Sequence, residues 1–223
     1  HTMRDTGVLP QLSPRLGHLT RTNSEAVLAA TGRRRGRDLP DYSRGVAITS
    51  SVHLDENTHL EPVRYGPGSN AIALLQTVLV DGDGRHPRWL KALGLIARHP
   101  LRFLGSLSVR HWSERTVITL VMQSLDNSLV VSGRPRRWTR IFGLGPRSLT
   151  TAPGPGEPVP AWIPKGHEAV RRVAADIGGD PGGAVTELIN IPMTAHFLGG
   201  CVIGATAQDG VIDRISGFSA TPD

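Results

Sequence analysis

The stretch R-T-V-I-T-L-V-M-Q-S-L-D-N-S-L-V-V-S (Arg115–Ser132) carries two runs rich in β-branched and aliphatic residues, Arg115–Met122 and Ser128–Ser132. Polar Gln123–Asn127 separates them. Side chains of this kind suit a pleated, half-buried surface, and the short polar connection predicts a β-hairpin. Outward from it, Gly45–Val52 also reads as a strand. His59–Tyr65 reads as extended, with Pro62 restricting it to an edge or a bulge. Ala71–Val80 is apolar but short, which leaves a buried strand and a short helix both open. Asn23 or Ser24 is placed to cap a short helix over Ala26–Ala30. Arg88–Arg98 aligns Leu90, Leu93 and Ile96 on one helical face and must stop before Pro100. Gly166–Ile177 aligns Val170, Val173, Ala174 and Ile177, and Gly178-Gly179 ends it. Residues 32–41 and the Gly- and Pro-rich span 143–160 read as loops. Several extended runs with few crossover helices predict an α+β fold, a mostly antiparallel sheet flanked by helices.

Composition narrows the classes. Of 223 residues, 39% are hydrophobic and 20% charged, as in folded rather than disordered chains. The 26 glycines and 17 prolines are too many for a helical bundle. The longest apolar run, Ala71–Val80, is broken by Gln76 and Thr77 and falls far short of the roughly 20 residues of a membrane span. No apolar stretch follows the opening His1–Asp5, so no signal peptide is visible. These features lead to the expectation of a soluble chain, with the cytoplasm favoured, that is a piece of something longer. The single cysteine, Cys201, excludes an internal disulfide, and its apolar, Gly-flanked setting reads as that of a small core residue.

The net charge of +6 raises the question of nucleic acid. Arg33, Arg34, Arg35 and Arg37 form one cluster, and Arg134, Arg136, Arg137 and Arg140 another. Neither lies on an evident helix, no recognised nucleic-acid motif accompanies them, and aromatics make up only 4%. Solvated loops are the simpler account, and no nucleic-acid partner is expected. A basic anion- or nucleic-acid-binding module without catalysis stands as the alternative class.

Individual motifs are weak. Gly66-Pro67-Gly68-Ser69-Asn70-Ala71 matches G-x-G-x-x-A, but the preceding His59, Glu61, Pro62 and Arg64 do not make the doubly buried strand of a dinucleotide fold. His167-Glu168 lacks the second histidine of a zinc-protease helix, and nine scattered histidines offer no metal ligand set. No G-x-S-x-G elbow is present. Two candidates remain: Glu61, whose apolar neighbours could desolvate a carboxylate, and His196, followed shortly by Gly199-Gly200, where backbone can approach a ligand closely.

Longer segments say more. T-A-H-F-L-G-G-C-V-I-G (Thr194–Gly204) with D-G-V-I-D (Asp209–Asp213) resembles the His-x-x-Gly-Gly motif near the C-terminus of glucose–methanol–choline (GMC) oxidoreductases. Leu16–Glu25, Ser43–Ser51, His59–Ala71, Trp112–Ile118 and Ala161–Gly166 are similar, in order, to the actinobacterial cholesterol-oxidase-like branch. The resemblance implies the second half of the family's substrate-binding domain, a mostly antiparallel sheet with helices over an FAD flavin. It implies oxidation of the 3β-hydroxyl of a sterol, or of another bulky alcohol, with hydride passed to FAD and, in some members, isomerisation of the ketone. His196 falls on the active-site histidine, Glu61 on the carboxylate that shuttles the isomerisation proton, and Gly199 and Gly200 on cofactor-binding glycines.

The family's G-x-G-x-x-G turn and its later active-site asparagine find no match in these residues. The expected organisation is therefore a junction over 1–22 from a missing FAD domain, a partial substrate-binding domain over 23–212, and an aberrant tail over 213–223. Deleting one cytosine from a coding strand for the family-like continuation yields D-R-I-S-G-F-S-A-T-P-D (Asp213–Asp223), so a frameshift is expected there. The isolated chain is expected to be inactive, unless it completes a flavoprotein by pairing with separately encoded pieces.

Overall fold

The run A-V-L-A-A-T-G (Ala26–Gly32) is a central strand, not the short helix expected over Ala26–Ala30. A strand buried on both faces needs no polar alternation, and its alanines let the layers on either side come close. Packing on two faces overrides local helix preference.

The computed structural model describes residues 1–5, 7–33, 40–135 and 147–212. The tail over 213–223 thus lies outside the described residues, as do Arg34, Arg35, Arg37, Arg136, Arg137 and Arg140 of the basic clusters. The elements are α1 (Thr2–Asp5), β1 (Thr20–Thr22), β2 (Ala26–Gly32), β3 (Val52–His53), β4 (Thr58–Val63), β5 (Gln76–Val78), α2 (Arg88–Arg98), α3 (Pro100–Ser106), α4 (Trp112–Arg115), β6 (Thr116–Gln123), β7 (Leu129–Pro135), β8 (Arg147–Pro153), α5 (Pro164–Asp176), β9 (Gly179–Ala184) and β10 (Phe197–Gly199). They divide into two compact units. The larger holds Ser24–Ser124 and Pro160–Ala195; the smaller holds His1–Asn23, Leu125–Val159 and the described residues from His196.

The larger unit is built on a sheet of order β3-β4-β6-β2-β9-β5, antiparallel at every pairing. Ala26, Leu28 and Ala30 of β2 face one core with Leu60, Val121 and the Val170 and Ala174 stripe of α5. Ala29 faces the other core with Trp112, Ile118 and Ala73. The α5 helix is as expected, and Gly178 at φ +59° lets the chain leave it for β9. Gly166 also belongs where it is, because a Cβ there would stand 2.8 Å from Val121 Cγ2.

The smaller unit holds a sheet of order β10-β1-β7-β8, again antiparallel. The expected hairpin is absent: β6 pairs with β2 and β4, whereas β7 pairs with β8 and β1. The segment correctly shows two strands, but strand propensity does not name the pairing partner. Part of the expected loop over 143–160 is β8, which pairs with β7 along its whole length. Of Gly45–Val52, only Val52 enters a strand, and Ile48 makes an isolated bridge to Val63. Beyond its pairs with His59 and Leu60, β3 ends, so Pro62 stands past the end of that neighbour. Ala71–Val80 divides between the two alternatives: a 3-10 helix over Asn70–Leu75 runs directly into β5.

The α2 helix begins and ends where the sequence predicts, but the residues it buries are Arg88 and Ala92. Leu90 and Leu93 are 45% and 54% exposed. No described helix is long and apolar enough to cross a membrane.

Candidate functional site

Glu61 lies on β4 opposite Leu120 of β6. Alternation along β4 sends Leu60 to the α5 side and Val63 to the Trp112 side, so Glu61 shares the Trp112 side with Val63. Partly buried among Leu120, Val63 and Val27, it has no hydrogen bond or ion pair among the described residues. Two residues earlier on the same face, His59 lies 5.9 Å, ring to ring, from His53.

His196 is exposed and directly precedes β10 in the smaller unit. The two candidate catalytic side chains therefore fall in different units. The segment leading to His196 is tied down by Glu25, a residue the sequence argument used only as part of a matching motif. Glu25 is 5% exposed. Its Oε2 accepts hydrogen bonds from Thr194 Oγ1 at 3.1 Å and from the Ala195 amide at 3.0 Å. A buried carboxylate needs such donors, and here they fix the backbone one residue before His196. The signal available in the sequence was the acid itself, standing immediately before the most apolar strand.

Gly199 and Gly200 adopt φ +93° and +76°. A Cβ at Gly199 would run into the Leu19 carbonyl oxygen, and one at Gly200 would come within 2.9 Å of Thr20 Oγ1. Both glycines thus allow the close approach to β1. Cys201 is exposed, contrary to the core placement expected for it. The turn at Gly66–Gly68 leads into the six-residue 3-10 helix, not the α-helix that a dinucleotide cradle requires.

A polar cluster lies buried elsewhere in the larger unit. Arg88 donates to the carbonyl oxygens of Val80 and Ala161 and to Glu187 Oε2, the last at 3.1 Å. His167 Nδ1 bonds Asp81 Oδ1 at 2.9 Å, and Arg171 reaches the other Asp81 oxygen at 2.6 Å. Burial pushes the Asp81 carboxyl up, but the hydrogen bonds and charges of Arg171 and His167 outweigh it and hold the carboxyl below its usual range. The cluster anchors α2 and α5 beside the sheet. Among the described residues no group of His, Cys, Asp or Glu is arranged to hold a metal ion. Arg33 of the first basic cluster is paired with Asp180.

No family model matches the chain. Proteins named cholesterol oxidase from two strains of Mycobacterium tuberculosis, CDC 1551 / Oshkosh and ATCC 25618 / H37Rv, are 51% identical to it over 97% of its length. Over nearly its whole length the chain is thus similar in sequence to part of proteins named cholesterol oxidase. A relative named cholesterol oxidase from Acinetobacter baumannii is 35% identical over 95% of the chain. The chain spans 37% of the length of the mycobacterial relatives and 36% of the Acinetobacter one. The α+β architecture with two antiparallel sheets is that of the described residues.

Proposed function

We propose that this chain supplies the sterol-facing portion of a flavin-dependent oxidoreductase that converts an alcohol CH–OH group to a carbonyl. The observation that carries the reading is the 51% identity, sustained over 97% of the chain, to proteins named cholesterol oxidase. The apolar sheet face around Glu61 supports it, because a fused-ring alcohol needs a broad hydrophobic surface.

The described residues do not form a flavin cradle by themselves. The Gly66–Gly68 turn leads into a 3-10 helix rather than the α-helix of a dinucleotide cradle. FAD, the cofactor the resemblance implies, is held in this reading by parts of the protein outside these residues. The chain's own contribution is proton handling. His196 accepts the proton of the substrate hydroxyl as a general base. Glu61 carries a proton between ring carbons when the ketone isomerises. Glu25 acts as a positioning residue by holding Thr194 and Ala195.

The test is a chimera in which this chain replaces the aligned segment of the Mycobacterium tuberculosis relative, assayed for sterol oxidation and for isomerisation. His196→Ala is expected to slow oxidation about 10²–10⁴-fold. Glu61→Gln is expected to spare oxidation and to depress isomerisation. A His196→Ala chimera that oxidises sterol as fast as the unsubstituted chimera would sink the reading.

A further inference from the structure

In the larger unit a cavity of about 450 Å³ opens between α2, α3 and the β2-β9-β5 end of the sheet. That volume lies within the roughly 300–1,000 Å³ of small-molecule sites. It is on the far side of the strand order from β4 and Glu61. The wall is mainly apolar, with Val78 from β5, Leu95 from α2, and Leu101 and Phe103 from α3. Leu101, at the mouth, is 81% exposed.

Charge in the wall is one-sided. Four guanidiniums, those of Arg33, Arg102, Arg115 and Arg171, face a single carboxylate, Asp180. Three of the four are engaged. Arg33 grips Asp180 through two hydrogen bonds of 2.8 and 2.5 Å, and Arg171 holds Asp81. Arg115 donates to the carbonyl oxygens of Gly32 and Ser108 at 3.0 and 2.9 Å. Arg102 is exposed and has no acidic partner among the described residues. The surrounding sequence offers none either: from Gly84 to Ser113 there are six Lys and Arg residues and no Asp or Glu. A hydrocarbon chain gains by entering such a hollow. Its polar end then meets a positive field that favours an anion and opposes a cation.

We propose that this cavity binds a single-chain anionic amphiphile, a long-chain carboxylate whose tail lies among Leu95, Leu101 and Phe103 and whose head meets Arg102. The site is independent of the sterol chemistry above and needs neither flavin nor turnover to be observed.

Calorimetric titration of the whole 223-residue chain with dodecanoate below its micellar concentration tests it. One binding site is expected, at least tenfold tighter for dodecanoate than for octanoate, since each buried methylene is worth about fourfold in affinity. Dodecanol and dodecyltrimethylammonium should bind at least tenfold more weakly than dodecanoate. Arg102→Glu should weaken dodecanoate at least tenfold and Arg102→Lys by much less. Arg98→Glu makes the same charge change outside the cavity wall and should alter affinity less than twofold. Circular dichroism of these exposed-site variants should match that of the unsubstituted chain. The proposal is overturned by equal binding of dodecanol, by an unaltered Arg102→Glu, by no binding at all, or by binding to phosphatidylglycerol vesicles without binding of the monomer. None of these outcomes bears on the chimera test, so the two readings fail separately.

Discussion

The two sheets are stabilised by different means. The six-stranded sheet is closed on both faces by apolar side chains, with Leu28, Val121 and Val170 fully buried. The four-stranded sheet has an exposed outer strand, β10, in which Phe197 and Leu198 are open to solvent. Backbone pairing and polar contacts hold it. Thr22 Oγ1 donates to the buried Asn127 side chain at 3.1 Å, Arg21 pairs with Asp126, and the Gly17 amide bonds the Gly200 carbonyl at 2.7 Å. Non-directional burial tolerates some change of shape, whereas directional pairing depends on backbone dihedrals.

Truncation of the larger core should have the greatest effect. Leu28→Ala is expected to cost about 2–5 kcal/mol in urea unfolding of the six-stranded sheet, because the cavity it leaves lies between two packed layers. A loss below 1 kcal/mol would mean that this core can collapse around the gap. In the smaller sheet, backbone conformation rather than volume is the weak point. Gly199→Ala must hold φ +93° and meet the Leu19 carbonyl, so it should cost about 1–2 kcal/mol or more. The readout is faster hydrogen exchange at the β1 and β10 amides, and unchanged exchange there would remove the contrast between the sheets.

The third prediction concerns acid. Asp55 is held down to about 2, first by the Lys165 hydrogen bond and then by Thr58 and the Asn57 amide. Its folded value lies below the roughly 3.9 of an unfolded aspartate. Its stabilisation is therefore complete above about pH 4 and is lost as pH falls through 2. Asp55→Asn should flatten the stability profile in that window and nowhere above it, as followed by circular dichroism. The smallest effect is expected at the exposed Arg172–Glu168 pair of α5. Arg172→Ala should change stability by at most about 0.5 kcal/mol.

What could be read from the residues follows the same division. α5 was legible to within two residues at its start because helical spacing, a Gly stop and an apolar stripe all agree there. α2 was legible as a helix but not in its packing, because its inward contact is made by Arg88, a residue no hydrophobic pattern selects. β2 was misread because a strand buried on both faces and an alanine-rich helix look alike over seven residues. The β6–β7 hairpin failed because both strands found partners distant in sequence. For the site, His196 and Glu61 stand out by their local setting and take their roles from resemblance to a family, while Glu25 emerges only because its buried oxygen accepts bonds from residues far along the chain.

The pairing of β1 has a consequence for biosynthesis. This strand, Thr20–Thr22, is made well before its neighbours β7, which starts at Leu129, and β10, which starts at Phe197. Until then it is an unpaired edge that any passing strand can annex. The four-stranded sheet is thus the last part of the described chain to close, and a ribosome that pauses before Phe197 leaves β1 exposed to aggregation.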